Sequence, residues 1–108
     1  MIAPEFADPP TVFPYTVRIP GVGEGRMLLE VYGSGDFMVC GVRELWGFIN
    51  LPPKAWLETV RKEMRNIEQM AKESGVTEMR VAGRSWKRIL PDYEPFDGVK
   101  NGLRKVLA

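Results

Sequence analysis

The chain has 108 residues, a formal net charge of +1, no histidine and one cysteine. That length allows one domain with a modest core. The missing histidine excludes Ser-His-Asp catalysis and removes the commonest zinc ligand, and the near-neutral charge argues neither for nor against a nucleic-acid partner. Cys40 can form no internal disulfide. It sits in the apolar run DFMVCGV and reads as a buried structural thiol rather than a nucleophile, because no histidine is present to activate it.

The first residues, MIAPEFADPP, lack the basic and apolar regions of a secretory signal, so secretion is not expected. No apolar run approaches the roughly 20 residues of a membrane helix, and no membrane partner is expected. Residues 1–20 contain Pro4, Pro9, Pro10, Pro14 and Pro20. Prolines this dense exclude a helix and predict an extended N-terminal arm, followed by a single domain at 21–108. Phe6, Phe13 and Tyr15 give the arm side chains to bury, either along its own domain or on a neighbouring subunit. Residues 11–19, TVFPYTVRI, also suit an edge strand, where Pro14 is tolerated.

The stretch PGVGEGR at 20–26 has the glycines of a phosphate loop but not its setting, which requires a strand before it and a helix after it. MLLEVYGSGDFMVCGV follows, rich in β-branched and aromatic residues and broken by Gly33-Ser34-Gly35-Asp36. Both glycine clusters therefore read as hairpin turns. In residues 53–74, Trp56, Val60, Met64, Ile67 and Ala71 recur at steps of three and four, with Leu57 and Met70 widening the stripe. This is the pattern of an amphipathic helix with one face in a core. Pro53 suits its first position and Gly75 its stop, while Glu58 with Lys62 and Glu68 with Lys72 are expected as i,i+4 pairs on the wet side.

Residues 76–83, VTEMRVAG, alternate as a strand. SWKRIL then predicts a short helix with Ser85 as N-cap and Trp86, Ile89 and Leu90 turned inward, ended by Pro91. In the tail, Val99, Leu103, Val106 and Leu107 fit a helix, while Leu103, Lys105 and Leu107 fit a strand; the two remain open. The core expected from these patterns contains Trp56, Val60, Met64, Ile67, Trp86 and Leu90. The fold class is α+β: a mixed or antiparallel sheet, one long amphipathic helix and one or two short ones.

Charge is unevenly spread. Residues 80–108 hold seven basic and three acidic side chains, whereas residues 1–79 hold eight and eleven. Within the basic quarter, VAGRSWKRILPDYEP gathers Arg84, Lys87 and Arg88 around Trp86. The leading reading is a packed core end, with the arginine stems covering the ring. A partner-docking face and a single-strand nucleic-acid platform are the alternatives, but one tryptophan without a second exposed aromatic makes nucleic acid the weaker of these.

The order hairpin, long helix, strand, short helix and closing segment, from about residue 26 to 107, resembles the central part of the GNAT acyltransferase fold. AGRSWKRILPDYEP is similar to the GR-x-GW-x-R-x-L-x-x-Y segment of small GNAT-like proteins of tailed bacteriophages, including internal virion proteins of short-tailed phages. The matching residues are Gly83, Arg84, Trp86, Arg88, Leu90 and Tyr93, with Ser85 alone before the tryptophan where the family has two residues, the second a glycine. The resemblance implies a virion or host-cytoplasm location and raises the possibility of acetyl transfer from coenzyme A. That family holds the cofactor's pyrophosphate on backbone amides of a glycine-rich loop opening the long helix. The matching stretch here, GFINLPPKAW, lacks the glycine pattern and carries Pro52 and Pro53, which have no N–H. The family's tyrosine acid falls near Arg88, and Tyr93 lies beyond a proline; Glu30 or Glu44 remains as a general base.

The expectation is accordingly a non-catalytic, virion-associated protein without a cofactor or metal. It would act through contacts with other phage structural proteins or by self-association, using Phe6, Phe13, Tyr15, Arg84 and Arg88. An active N-acyltransferase, and a small regulator of a host protein or nucleic acid, are the alternatives.

Overall fold

In the computed structural model, residues 11–21, 23–47, 51–96 and 98–107 are described. The expected partner residue Phe6 lies outside them. The chain order is β1 (Thr11–Ile19), β2 (Gly23–Ser34), β3 (Phe37–Gly47), α1 (Pro53–Glu73), β4 (Glu78–Val81), a 3-10 turn at Trp86–Arg88, β5 (Glu94–Pro95) and β6 (Leu103–Val106). The strands form one mixed sheet in the order β1-β2-β3-β4-β6-β5. The β3–β4 pair is parallel and the others are antiparallel. This is an α+β architecture in which α1 makes the crossover that a parallel pair demands.

The glycine clusters turn hairpins. Gly21 and Gly35 have φ of +78° and +61°, conformations open to glycine at little cost. β1 pairs with β2 from Thr11↔Val31 to Ile19↔Gly23, with Pro14 on the edge strand. The sheet thus begins within the expected arm, and the boundary at residues 20–21 falls on a hairpin turn. At the start of β2, a Cβ on Gly47 would lie 2.6 Å from the Glu24 carbonyl oxygen. That close approach is what seats the end of β3 against the start of β2.

α1 lies on one face of the sheet. Val60, Met64, Ile67 and Ala71 pack on Met27, Leu29 and Val31 of β2, Cys40 and Val42 of β3, Met79 and Val81 of β4, and Leu103 of β6. Trp86, Ile89, Leu90 and Tyr93 close the end of this core. Truncating a fully buried member such as Met64 to alanine costs about 2–5 kcal/mol. Trp56 is half-buried and packs against the core from outside, so it lies at the core's margin rather than within it. Met70, expected in the stripe, is 46% exposed.

Several expectations are corrected. Glu68 is not on the wet side: it is buried and receives the Tyr93 hydroxyl, Arg65 and Lys105 rather than pairing with Lys72. SWKRIL makes a single 3-10 turn, and Ser85 forms no side-chain cap. The tail resolves to strand, because Leu103–Val106 pairs with both β4 and β5. The opposite face of the sheet bears Glu30, Tyr32, Glu78, Arg80 and Arg104. There Glu78 is fully buried beside Arg80 and Arg104.

Candidate functional site

The β3–β4 ladder runs only from Val39↔Glu78 to Val42↔Val81. Beyond it, β3 continues against β2 alone, after a bulge that leaves Arg43 unmatched between Leu29↔Val42 and Leu28↔Glu44. A bulge bends its strand, and on the other side Gly83, at φ +90°, turns the chain away from β4. The two strands therefore part. Arg43, Glu44, Leu45 and Trp46 line one wall of the resulting cleft, and Ala82, Gly83, Arg84 and Trp86 the other.

A second groove of about 690 Å³ adjoins it at the start of α1. Its walls are Leu51, Pro53, Trp56 and Leu57 on one side and Arg84, Ser85, Arg88 and Ile89 on the other. Arg84 borders both spaces. Trp86 is 2% exposed, and its indole N–H donates to the Ala82 carbonyl at 3.2 Å. The Arg84 guanidinium stands 6.0 Å from the Trp86 ring centroid. Arg61 fixes the wall from behind, donating from Nε to the Ile89 carbonyl and from Nη2 to the Arg88 carbonyl, each at 2.8 Å. Arg84 and Arg88 are both exposed.

The helix beside this groove opens poorly for an anion. Pro52 is the N-cap and Pro53 the first helical residue, with no side-chain cap, and the Trp56 amide already donates to the Pro52 carbonyl at 2.8 Å. The first turn offers the amides of Lys54 and Ala55 and none from Pro53.

Groups suited to proton transfer are dispersed. Glu44 lines the cleft. Glu30 instead lies against Gly41 with Arg43 at 3.7 Å. Tyr93 is wholly buried, and burial followed by its hydrogen bond to Glu68 pushes its phenol well above the usual range. It stays protonated as a structural donor. Cys40 is buried, and burial, with Glu30 adding a smaller push, raises its thiol to about 12. It is an unreactive core residue.

The expected partner residues are divided. Arg84 and Arg88 share the second groove. Phe13, 36% exposed, lies at the far end of α1, where it lines an apolar hollow of about 220 Å³ with Met38, Met70 and Val76. Tyr15 is tied to its own domain: its hydroxyl donates to Glu63 of α1 at 2.8 Å, and burial followed by that bond raises its phenol to about 12. This bond ties β1 to the helix.

Among the described residues, no helix is long and apolar enough to cross a membrane, and no cluster of His, Cys, Asp and Glu is suited to hold a metal ion. The architecture defines a small α+β protein with a six-stranded mixed sheet. Compared with known proteins, the chain matches no family model, no curated protein and no solved structure.

Proposed function

We propose that this chain is a non-catalytic protein-binding module, a GNAT-like component of a phage particle whose contacts are made by its surface grooves. The element order supports the family reading: hairpin, long helix, strand, short helical turn and closing strand follow one another as the resemblance implies. The phage origin and virion role rest on the motif Gly83, Arg84, Trp86, Arg88, Leu90 and Tyr93.

The observation that carries the non-catalytic reading is the start of α1. An acyltransferase of this kind holds a pyrophosphate on fixed amides, and a pyrophosphate leaves water only when oriented donors replace its hydration. Two successive prolines at the N-cap and first helical position withdraw donors where that cradle is required. The walls of the cleft add Glu44 as their one carboxylate among the described residues, with no tyrosine beside it. Titration with acetyl-CoA tests the reading, which requires no binding below the millimolar range.

One observation favours the alternative of an active N-acyltransferase: the parting of two parallel strands next to the helix start, which exposes the edge of β3. Low-micromolar acetyl-CoA binding would decide for it.

A further inference from the structure

Seven basic side chains lie between residues 80 and 108, and the fold engages most of them. Arg80 and Arg104 face Glu78. Lys105 bridges Glu68 and Asp92. Lys87 Nζ donates to the carbonyls of Pro91 and Tyr93 at 3.2 and 2.8 Å. Among the described residues, Arg84, Arg88 and Lys100 form no ion pair, and Arg84 and Arg88 flank the same groove. Leu51, Trp56, Leu57 and Ile89 give it apolar lining from both walls, and Arg61 holds the arginine-bearing wall in place. An apolar slot with two cations along one wall, neither in an ion pair among the described residues, suits a short segment that carries a large apolar side chain with carboxylates close to it.

The chain contains such a segment. Residues 1–10, outside the described residues, read MIAPEFADPP: Phe6 stands between Glu5 and Asp8, and no basic residue is among them. We propose that the groove receives the 5–8 stretch of a second copy of this chain, with Phe6 against Trp56, Leu57 and Ile89 and the two carboxylates on Arg84 and Arg88. The proposal rests on the protein-binding reading above and names the partner as the chain itself.

Backbone reach favours a second copy over the chain's own arm. Thr11 is in register with Val31, Cys40 and Met79 across the sheet, so about 14 Å of strand spacing separates it from β4. Val31 and Ala71 line the same hollow at the far end of α1, whereas the groove lies at Trp56, about 22 Å back along the helix axis. The combined separation is about 26 Å, while the five residues from Thr11 to Phe6 extend at most about 17 Å.

Sedimentation velocity of the full chain over a concentration series tests this. Self-association is expected, weakening as ionic strength rises toward about 1 M. The Arg84→Glu, Arg88→Glu double variant should lower the association constant at least about tenfold, as should the Glu5→Lys, Asp8→Lys variant. Mixing these two variants should restore association between them. The arm variant changes only residues preceding β1, so it decides the matter even if the groove variant fails to melt cooperatively. A wild-type chain that stays monomeric throughout, or self-association indifferent to both reversals, would overturn the proposal. Acetyl-CoA added to the wild type separates the two readings. Self-association that micromolar acetyl-CoA disrupts keeps the arm site but sinks the non-catalytic reading. A monomer that also ignores acetyl-CoA overturns the arm site alone.

Discussion

The Tyr93 hydroxyl donates to the Glu68 carboxylate at 2.7 Å, joining residues 25 positions apart. Around this bond, Arg65 reaches Glu68 and Asp92 at 2.8 Å each, and Lys105 reaches the same two carboxylates at 3.0 Å each. The middle of α1 is thereby fastened to the 92–93 loop and to β6. Tyr93→Phe removes one hydrogen bond to a charged group while leaving both cations on Glu68. It should lower unfolding free energy by about 1.5–3 kcal/mol in urea titration, with the fold retained. A loss below about 0.5 kcal/mol would show that the bond carries little weight.

The same network sets an acid limit. The Arg65 hydrogen bond, helped by Lys105 and opposed by burial, holds the Asp92 carboxyl at about 2, below its ordinary 3.8. Between those values the unfolded chain binds more protons than the folded one, so stability rises with pH there. Asp92's contribution is complete above about pH 4 and is lost as pH falls toward about 2. Its side chain is 40% exposed, so solvent screens the pair and the effect is modest. Urea midpoints measured across this window should fall with acidification, and Asp92→Asn should flatten the slope. An unchanged slope in that variant would remove Asp92 from the account.

Trp86 tests whether the basic 84–88 stretch is built on a core residue. The ring is buried and its N–H is satisfied by the Ala82 carbonyl, so Trp86→Ala should cost roughly 3–5 kcal/mol in denaturant unfolding. A change within about 0.5 kcal/mol would place the ring on the surface and shift the site's meaning toward direct contact.

The helix and hairpins were legible because their signals are local. The three- and four-residue steps of Val60, Met64, Ile67 and Ala71 need no knowledge of the rest of the chain. Glu68 was misplaced because its partners, Tyr93 and Lys105, are far along the sequence; local spacing offered only Lys72. Glu78 is buried between a cation of its own strand, Arg80, and Arg104 from another strand, and only the second of these contacts is non-local. The insertion of β6 between β4 and β5, and the parting of β3 from β4, are non-local pairings that alternation does not encode. At the site, the cluster of Arg84 and Arg88 around Trp86 was readable. That these two, unlike Arg80, Lys87, Arg104 and Lys105, remain without a described acidic or carbonyl partner emerged only from the packing.

The proposal that this chain is a non-catalytic binding module, with no cofactor cradle at the start of α1, meets its sharpest test in calorimetric titration of the purified chain with acetyl-CoA at moderate salt. Each charge-assisted hydrogen bond to the pyrophosphate contributes about 1.5–3 kcal/mol, and about 1.4 kcal/mol is a factor of ten in affinity. Donors withdrawn at Pro52 and Pro53 therefore remove orders of magnitude, which mobile charges at Lys54 and Arg43 recover only in part. The account predicts no binding below the millimolar range; a dissociation constant in the low micromolar range would contradict it and make the acyl acceptor the next object of search.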